Sequence, residues 1–232
     1  MRLPALLAEE ARRFPAGAAT PGKAAARVLN MQDVTIEGIA ADSRAVAPGH
    51  LFAALSGTLA YGNIFIPEAL EKGAVAVMAT GPPPPGYEGV WLEADDPRWL
   101  IGPLAGRIYG NPDSQMLMVG VTGTNGKSTV AFLTVSILEA AGFPTGTIGT
   151  LGHQFAGRVI NADRTTPEAS NMYRLLAHMR DAGAKAVCAE VSSQGLALGR
   201  VEGLSFDVGI FTNLTRDHFD FHRDFEDYFA CK

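Results

Sequence analysis

Short apolar runs alternate along the chain with longer stretches of helical period. Residues 34–40 read as a short strand or turn, and residues 51–55 as a strand closed by Ser56-Gly57. Residues 64–71 place Ile66, Ala69 and Leu70 on one side of a helix, and Gly73 supplies its stop. Residues 74–79 are a compact apolar run, which predicts a buried strand. Pro82, Pro83, Pro84 and Pro85 exclude helix and sheet where they stand. Residues 90–92 and 97–108 beyond them still read as a strand and a helix, so the proline run is predicted to be a loop inside one α/β unit. Residues 1 to about 30 are Ala-rich and weakly patterned, and read as one helix and a loose segment.

The segment 109–115, YGNPDSQ, is polar and turn-rich and sets a predicted domain boundary. After it the pattern becomes a βαβ alternation. Residues 116–121, MLMVGV, read as a strand and residues 122–127 as a glycine-punctuated loop. Residues 128–141 read as a helix with apolar positions at Val130, Leu133, Ile137 and Leu138, ended by Gly142 and Pro144. Residues 168–182 are predicted helical, 186–191 and 208–211 are predicted strands, and a further helix starts at Asp224 or Phe225. The fold class is α/β: a small N-terminal α/β domain over 1–110, then the first part of a P-loop ATPase-like α/β domain over 111–232.

Composition narrows the function classes. Apolar residues make up 47% of the chain and charged residues 19%, enough for a packed core and too little charge for a disordered chain. The formal net charge of -5 argues against nucleic acid or a membrane surface as partner. Two cysteines, Cys188 and Cys231, exclude a disulfide-dense scaffold and any CxxC motif. The first apolar stretch is interrupted by Glu9 and Glu10, and no run approaches the roughly 20 residues of a membrane span, so the expected location is the cytoplasm. Cys188 reads as a small buried hydrophobe, His153 and His178 as surface residues, and Tyr87, Trp91 and Trp99 as packing.

The strongest chemical signal is Gly123, Thr124, Asn125, Gly126, Lys127, Ser128 and Thr129 between a strand and a helix. Such a loop offers convergent backbone N–H groups to phosphate oxygens, Lys127 adds a point charge, and the Ser128 hydroxyl suits a Mg²⁺ shell. Val121 stands where the strict pattern wants its first glycine. The plain alternative is a strand–helix turn with a solvated lysine. Glu190 ends a predicted strand and should point into the same crevice, as a ligand for Mg²⁺ or as a surface carboxylate. Ser192 and Ser193 follow, as substrate hydroxyls or as a helix cap. Residues 211–222 gather Arg216, Asp217, His218, Asp220 and His222. Asp217 could orient the His218 imidazole. Zinc binding by His218 and His222 needs a helix that this stretch does not clearly form, and capping by Thr215 or Asp217 is the other reading. Lys232, taken on its own, reads as a frayed, solvated residue.

These segments together resemble the Mur ligase family, cytoplasmic enzymes that build the peptide stem of peptidoglycan. The resemblance rests on TGTNGKST at 122–129, DSR at 42–44 with Pro48-Gly49, FIPEAL at 65–70, TTPE at 165–168, EVSS at 190–193, and TNLTRDH at 212–218 with Asp220 and His222. Within the family they are closest to the branch that adds the third stem residue, meso-diaminopimelate or L-lysine, to UDP-N-acetylmuramoyl-L-alanyl-D-glutamate. The resemblance implies a UDP-sugar-binding first domain and an ATP-binding second domain. It implies ATP and Mg²⁺ as cofactors and amide formation through an acyl phosphate. It assigns Ser43, Thr165, Thr166, Ser192 and Arg200 to substrate, Lys127 to phosphate, and Ser128, Glu190 and His218 to metal. Lys232 matches a lysine carbamylated by CO₂ that helps hold a second Mg²⁺, and a monomer is implied.

Departures fall mostly on the muramoyl-substrate side. His50 stands where Asp is common, Tyr61 where Asp-Gly is expected, Arg164 for Asn, Gln194 for His and Arg223 for Gly. Set against the family, the chain stops inside an expected helix, before the rest of the ATPase domain and a third domain that selects the acceptor. It is therefore expected to be poorly active or inactive alone, with an unpaired sheet edge and exposed apolar surface. A noncatalytic nucleotide-binding remnant is one competing reading. Another ligase of the superfamily, such as a folate polyglutamylating enzyme, is a second, against which DSR and EVSS speak.

Overall fold

The structure, a computed structural model, describes residues 1–7, 26–56 and 62–232. Most of the weakly patterned N-terminal segment, Gly57 and Tyr61 lie outside the described residues. The chain divides into two compact units, Met1–Tyr109 and Gly110–Lys232.

The first unit holds α1 (residues 3–7), β1 (Ala26–Leu29), β2 (Gly38–Ala40), β3 (His50–Ala53), α2 (Ile66–Glu71), β4 (Ala76–Ala79), β5 (Val90–Ala94) and α3 (Arg98–Ile108). The strands form one sheet in the order β1-β5-β4-β3-β2. Only the β1–β5 pair is antiparallel. All four β4 residues are buried, as expected of a central parallel strand covered on both faces. On one face Phe52, Val77 and Trp91 pack with Ile66 and Ala69 of α2. The proline run is a loop between β4 and β5, and the Trp91 indole donates to Gly81 O across it at 2.9 Å. Strand β1 was not legible in the sequence, since its four residues, ARVL, are half exposed.

The second unit holds β6 (Leu117–Thr122), α4 (Lys127–Ala140), β7 (Thr145–Gly149), β8 (Gly152–Phe155), β9 (Arg158–Ile160), α5 (Ala169–Asp181), β10 (Ala186–Glu190), α6 (Ser193–Ala197), β11 (Val208–Phe211) and α7 (Phe225–Cys231). Its sheet runs β11-β6-β10-β7-β8-β9. The first four are parallel and β8 and β9 form an antiparallel extension. The register sets Glu190 opposite Val121, so the carboxyl ends of β6 and β10 lie side by side. Open parallel sheets bind ligands at such strand ends.

Helix α4 forms as expected but leaves Leu133 and Ile137 58% and 68% exposed. Ala131, Val130, Val135 and Leu138 pack instead on Val119, Val121 and Cys188. The helix is apolar nearly all round, so periodicity did not choose its inner face. His153 is not a surface residue but is buried on β8 opposite Ile148, and burial pushes its imidazole pKa down. Lys232 is not solvated but half-buried, as described below. Cys188 is fully buried, and desolvation raises its thiol pKa to about 12. Strand β11 pairs only with β6 among the described strands, and leaves Val208 and Phe211 exposed.

Phe52 is 1% exposed at the centre of the first unit's core. Phe52→Ala should cost about 3–5 kcal/mol. Urea unfolding followed by tryptophan fluorescence measures it, because both tryptophans, Trp91 and Trp99, belong to this unit. An unchanged midpoint would contradict the packing described.

Candidate functional site

Strand β6 ends in Thr122 and the chain turns through Gly123 before α4 begins at Lys127. Gly123 has φ +137°, and a Cβ there would lie 2.0 Å from Thr212 Oγ1. Only glycine allows that approach. The loop is braced by the segment after β11: Asn213 O accepts from Thr124 N, Asn213 Oδ1 accepts from Asn125 N, and Thr212 Oγ1 donates to Asn125 O at 2.7 Å. Helix α4 then opens with its free N–H groups and positive dipole end at the loop.

Glu190 closes β10 at 2% exposure. Its Oε2 accepts from Ser128 Oγ at 2.9 Å and from Thr150 Oγ1 at 3.2 Å, and its Oε1 accepts from Thr150 N at 3.0 Å. Gly149 makes room for it, since a Cβ at that position would stand 2.1 Å from Oε1. The sequence-based expectation that Glu190 faces the phosphate loop therefore has a direct geometric counterpart, the Ser128–Glu190 hydrogen bond.

Lys127 folds over the loop and donates to Gly123 O at 2.8 Å and Thr124 O at 2.9 Å. Burial lowers its pKa, partly offset by the charges of Glu190 and Asp217. Lys232, from the end of α7, donates to Thr122 Oγ1 and to Gly123 O, both at 3.1 Å. Burial, with the neighbouring Lys127 charge, brings its pKa down to about 8. Two ammonium groups thus converge on Gly123 O.

Tyr228 ties α7 to the loop. It is fully buried, its hydroxyl lies 2.9 Å from Thr124 Oγ1, and Lys232 Nζ sits 5.1 Å from its ring centroid. The rings of His218 and His222 also lie against it. His218 lines the cleft in a left-handed conformation (φ 57°), its backbone N–H bonded to Asp217 Oδ1. His222 is buried, with Nδ1 3.5 Å from Asp227. Among the described residues no group of three or more His, Cys, Asp and Glu side chains could hold a metal ion, so the zinc reading of His218 and His222 has no ligand set. A buried carboxylate beside a hydroxyl and a glycine-rich strand–helix loop fits Mg²⁺, which keeps waters and draws ligands from phosphates.

A cleft of about 350 Å³ opens here. It is lined by residues 124–129 with Glu190, His218, Thr165 and Ser192. Thr150, Gln194 and Asp217 also line it. Thr166 is fully buried; its hydroxyl donates to Glu190 O and accepts from Ser192 N. Arg200 donates to Thr166 O and to Glu168. These two brace the cleft wall. Ser43 lies in the first unit, where its buried hydroxyl donates to Glu68 at 2.6 Å. Sequence reasoning missed Thr150 and Tyr228. The signal for Thr150 was its place just beyond a strand's carboxyl end, which required reading β7 as a strand.

A Mur ligase middle domain model matches residues 121–232, and a model for the Mur ligase family, catalytic domain, matches residues 35–85. The UDP-N-acetylmuramoyl-L-alanyl-D-glutamate–2,6-diaminopimelate ligase of Solibacter usitatus is 47% identical over 197 residues, 85% of this chain and 40% of that protein. The ligase of the same name from Streptomyces avermitilis is 44% identical over 93% of this chain and 41% of its own length. A solved structure of a ligase of that name superposes with a TM-score of 0.71 at 25% identity, covering 84% of this chain and 40% of that one. The Thermotoga maritima MurF ligase, solved with ADP, shares the fold at a TM-score of 0.59 and 21% identity, over 87% of this chain and 43% of its own. The chain thus spans about two fifths of the length of the relatives it matches.

Gly149→Ala should displace the Glu190 carboxylate and lower the melting temperature, since a buried carboxylate would lose hydrogen bonds worth about 1–3 kcal/mol. Gly209→Ala, where a Cβ meets nothing within 4 Å, is the control and should melt near wild type. Equal melting of the two variants would contradict the steric account.

Proposed function

The chain belongs to the Mur ligase family, and on that premise we propose that it carries the UDP-sugar-binding and phosphate-binding portions of an ATP-dependent amide ligase. The reaction class is addition of a third residue, meso-diaminopimelate or L-lysine, to UDP-N-acetylmuramoyl-L-alanyl-D-glutamate in cytoplasmic peptidoglycan synthesis. The relatives' names, which pair UDP-N-acetylmuramoyl-L-alanyl-D-glutamate with 2,6-diaminopimelate, support this reading. The observation that carries the chemistry is the buried Glu190 carboxylate bonded to Ser128 at the mouth of a glycine-rich strand–helix loop.

In this reading a substrate carboxylate attacks the γ-phosphorus of ATP, ADP leaves, and an acyl phosphate forms. The amine nitrogen of the incoming residue then attacks the acyl carbon, phosphate leaves and the amine gives up a proton. No enzyme nucleophile is needed. The chain's own residues bind and orient. Loop amides of residues 126–128 at the start of α4 receive phosphate oxygens, while those of Thr124 and Asn125 stay bonded to Asn213. Lys127 leaves its carbonyl partners for the transferring phosphoryl group and offsets its charge. Ser128 and Glu190, with His218, would hold Mg²⁺, which supplies charge neutralisation along the phosphates.

Lys232 completes the set as a carbamate. Its neutral amine nitrogen attacks CO₂, an N–C bond forms and a proton is released, turning a cation into a carboxylate-like anion. A pKa of about 8 makes the neutral amine available where an ordinary lysine, near 10.4, stays charged. The half-buried setting beside Tyr228 accounts for that availability. The isolated chain is proposed to bind ligands without efficient turnover, and to act as a monomer.

Lys127→Ala in the complete gene product should lower kcat by at least about a hundredfold with the fold intact, and unchanged turnover would sink the phosphate-loop assignment. Calorimetry on the 232-residue chain should detect both ATP with Mg²⁺ and UDP-muramoyl-L-alanyl-D-glutamate. Failure to bind either rejects the reading. In ¹³C NMR with labelled bicarbonate, a carbamate signal should grow as pH rises through about 8, following the neutral fraction of Lys232, and be missing from Lys232→Ala. Growth confined to the ordinary lysine range would rule out the carbamate.

A further inference from the structure

The hydroxyls along one wall of the cleft form a chain whose proton direction is fixed by counting. Glu190, as a carboxylate, only accepts. Thr150 Oγ1 therefore donates its single proton to Glu190 Oε2, at 3.2 Å. Thr150 Oγ1 also lies 2.9 Å from Thr165 Oγ1. With its own proton spent, Thr150 can only accept there, so Thr165 donates to it. Thr165 reaches the cleft with its proton committed and a lone pair to offer.

The same count holds at the neighbouring hydroxyl. Thr166 Oγ1 donates to Glu190 O at 2.9 Å and accepts from Ser192 N at 3.0 Å. Ser192 Oγ, 3.2 Å from Thr166 Oγ1, therefore donates to it, and also accepts from Gly195 N. On this wall of the cleft the Thr165 and Ser192 hydroxyls are thus acceptors toward a ligand. A carboxylate or phosphate oxygen set against them would meet lone pairs.

We propose that Thr150 is a positioning residue that determines specificity: by consuming the Thr165 proton it makes this wall select a peptide N–H of the substrate over an oxygen acceptor. The proposal rests on the ligase reading above and deepens it by naming the substrate group this wall takes. Thr150 holds Glu190 through its backbone N–H as well, so removing only its hydroxyl leaves a bond to that carboxylate in place. Thr150→Val frees the Thr165 proton, and Thr165 can then donate to an ester oxygen as readily as accept from an amide. Thr150→Ser keeps the original direction.

The test is calorimetric, on the complete gene product with ATP and Mg²⁺ omitted. The ligands are UDP-muramoyl-L-alanyl-D-glutamate and its two single-ester analogues, each with one peptide N–H replaced by oxygen. In wild type and Thr150→Ser, one ester should bind about tenfold more weakly than the parent, because an acceptor is left facing an acceptor. In Thr150→Val that penalty should shrink to about twofold or less. Two esters that bind wild type as tightly as the parent would overturn the donor assignment. An ester penalty unchanged in Thr150→Val would overturn the role of Thr150. Failure of wild type to bind the parent compound would instead overturn the ligase reading, a result separable from the other two.

Discussion

A buried carboxylate constrains the second unit more than any other group. Glu190 sits at the end of a central strand at 2% exposure, where an uncompensated charge would be expensive. The fold compensates from three directions: a serine at the start of α4, a backbone amide and hydroxyl just beyond β7, and missing side-chain bulk at Gly149. Each requires its parent element in place. The parallel pairing of β10 with both β6 and β7 is what brings them together. The carboxylate is thus the group whose neighbours cannot shift independently.

Positive charge opposes it across the same loop. Lys127 and Lys232 both donate to Gly123 O, and each lowers its pKa through burial. Such a pair is tolerated when an anion is to be received, because the helix start and loop amides add to the same field. On the proposed phosphate-binding reading, Lys127, engaged by loop carbonyls, and the loop donors are already ordered close to where phosphate oxygens would sit. Their bonds to the protein are replaced on binding instead of being created from disorder.

Much of this was legible in the sequence, for identifiable reasons. The strand–loop–helix at 116–141 shows because apolar run, glycines and helical period follow one another without interruption. Glu190 shows because it ends a run, AVCAE, whose burial is unambiguous. Strand β7 did not show: TGTIG has one large apolar residue, and its burial comes from neighbours on both sides. With β7 unread, Thr150 had no reason to be noticed. His153 was misplaced for a related cause, since the β8–β9 hairpin carries little alternation and its inward face is decided by β7. Lys232 was read as solvated because nothing local buries it. Its shelter is Tyr228 and the loop more than a hundred residues earlier.

That last separation has a consequence for synthesis. Thr124 meets Tyr228 across 104 positions and Thr122 meets Lys232 across 110. The partners at 212 to 215 arrive almost as late. A chain emerging from the ribosome at about 5–20 residues per second therefore exposes its glycine-rich loop for several seconds before α7 exists to brace it. Over that interval the loop lacks every contact it later makes with residues 212–232. Vectorial translation, and not only the finished energy balance, then sets when this site becomes competent.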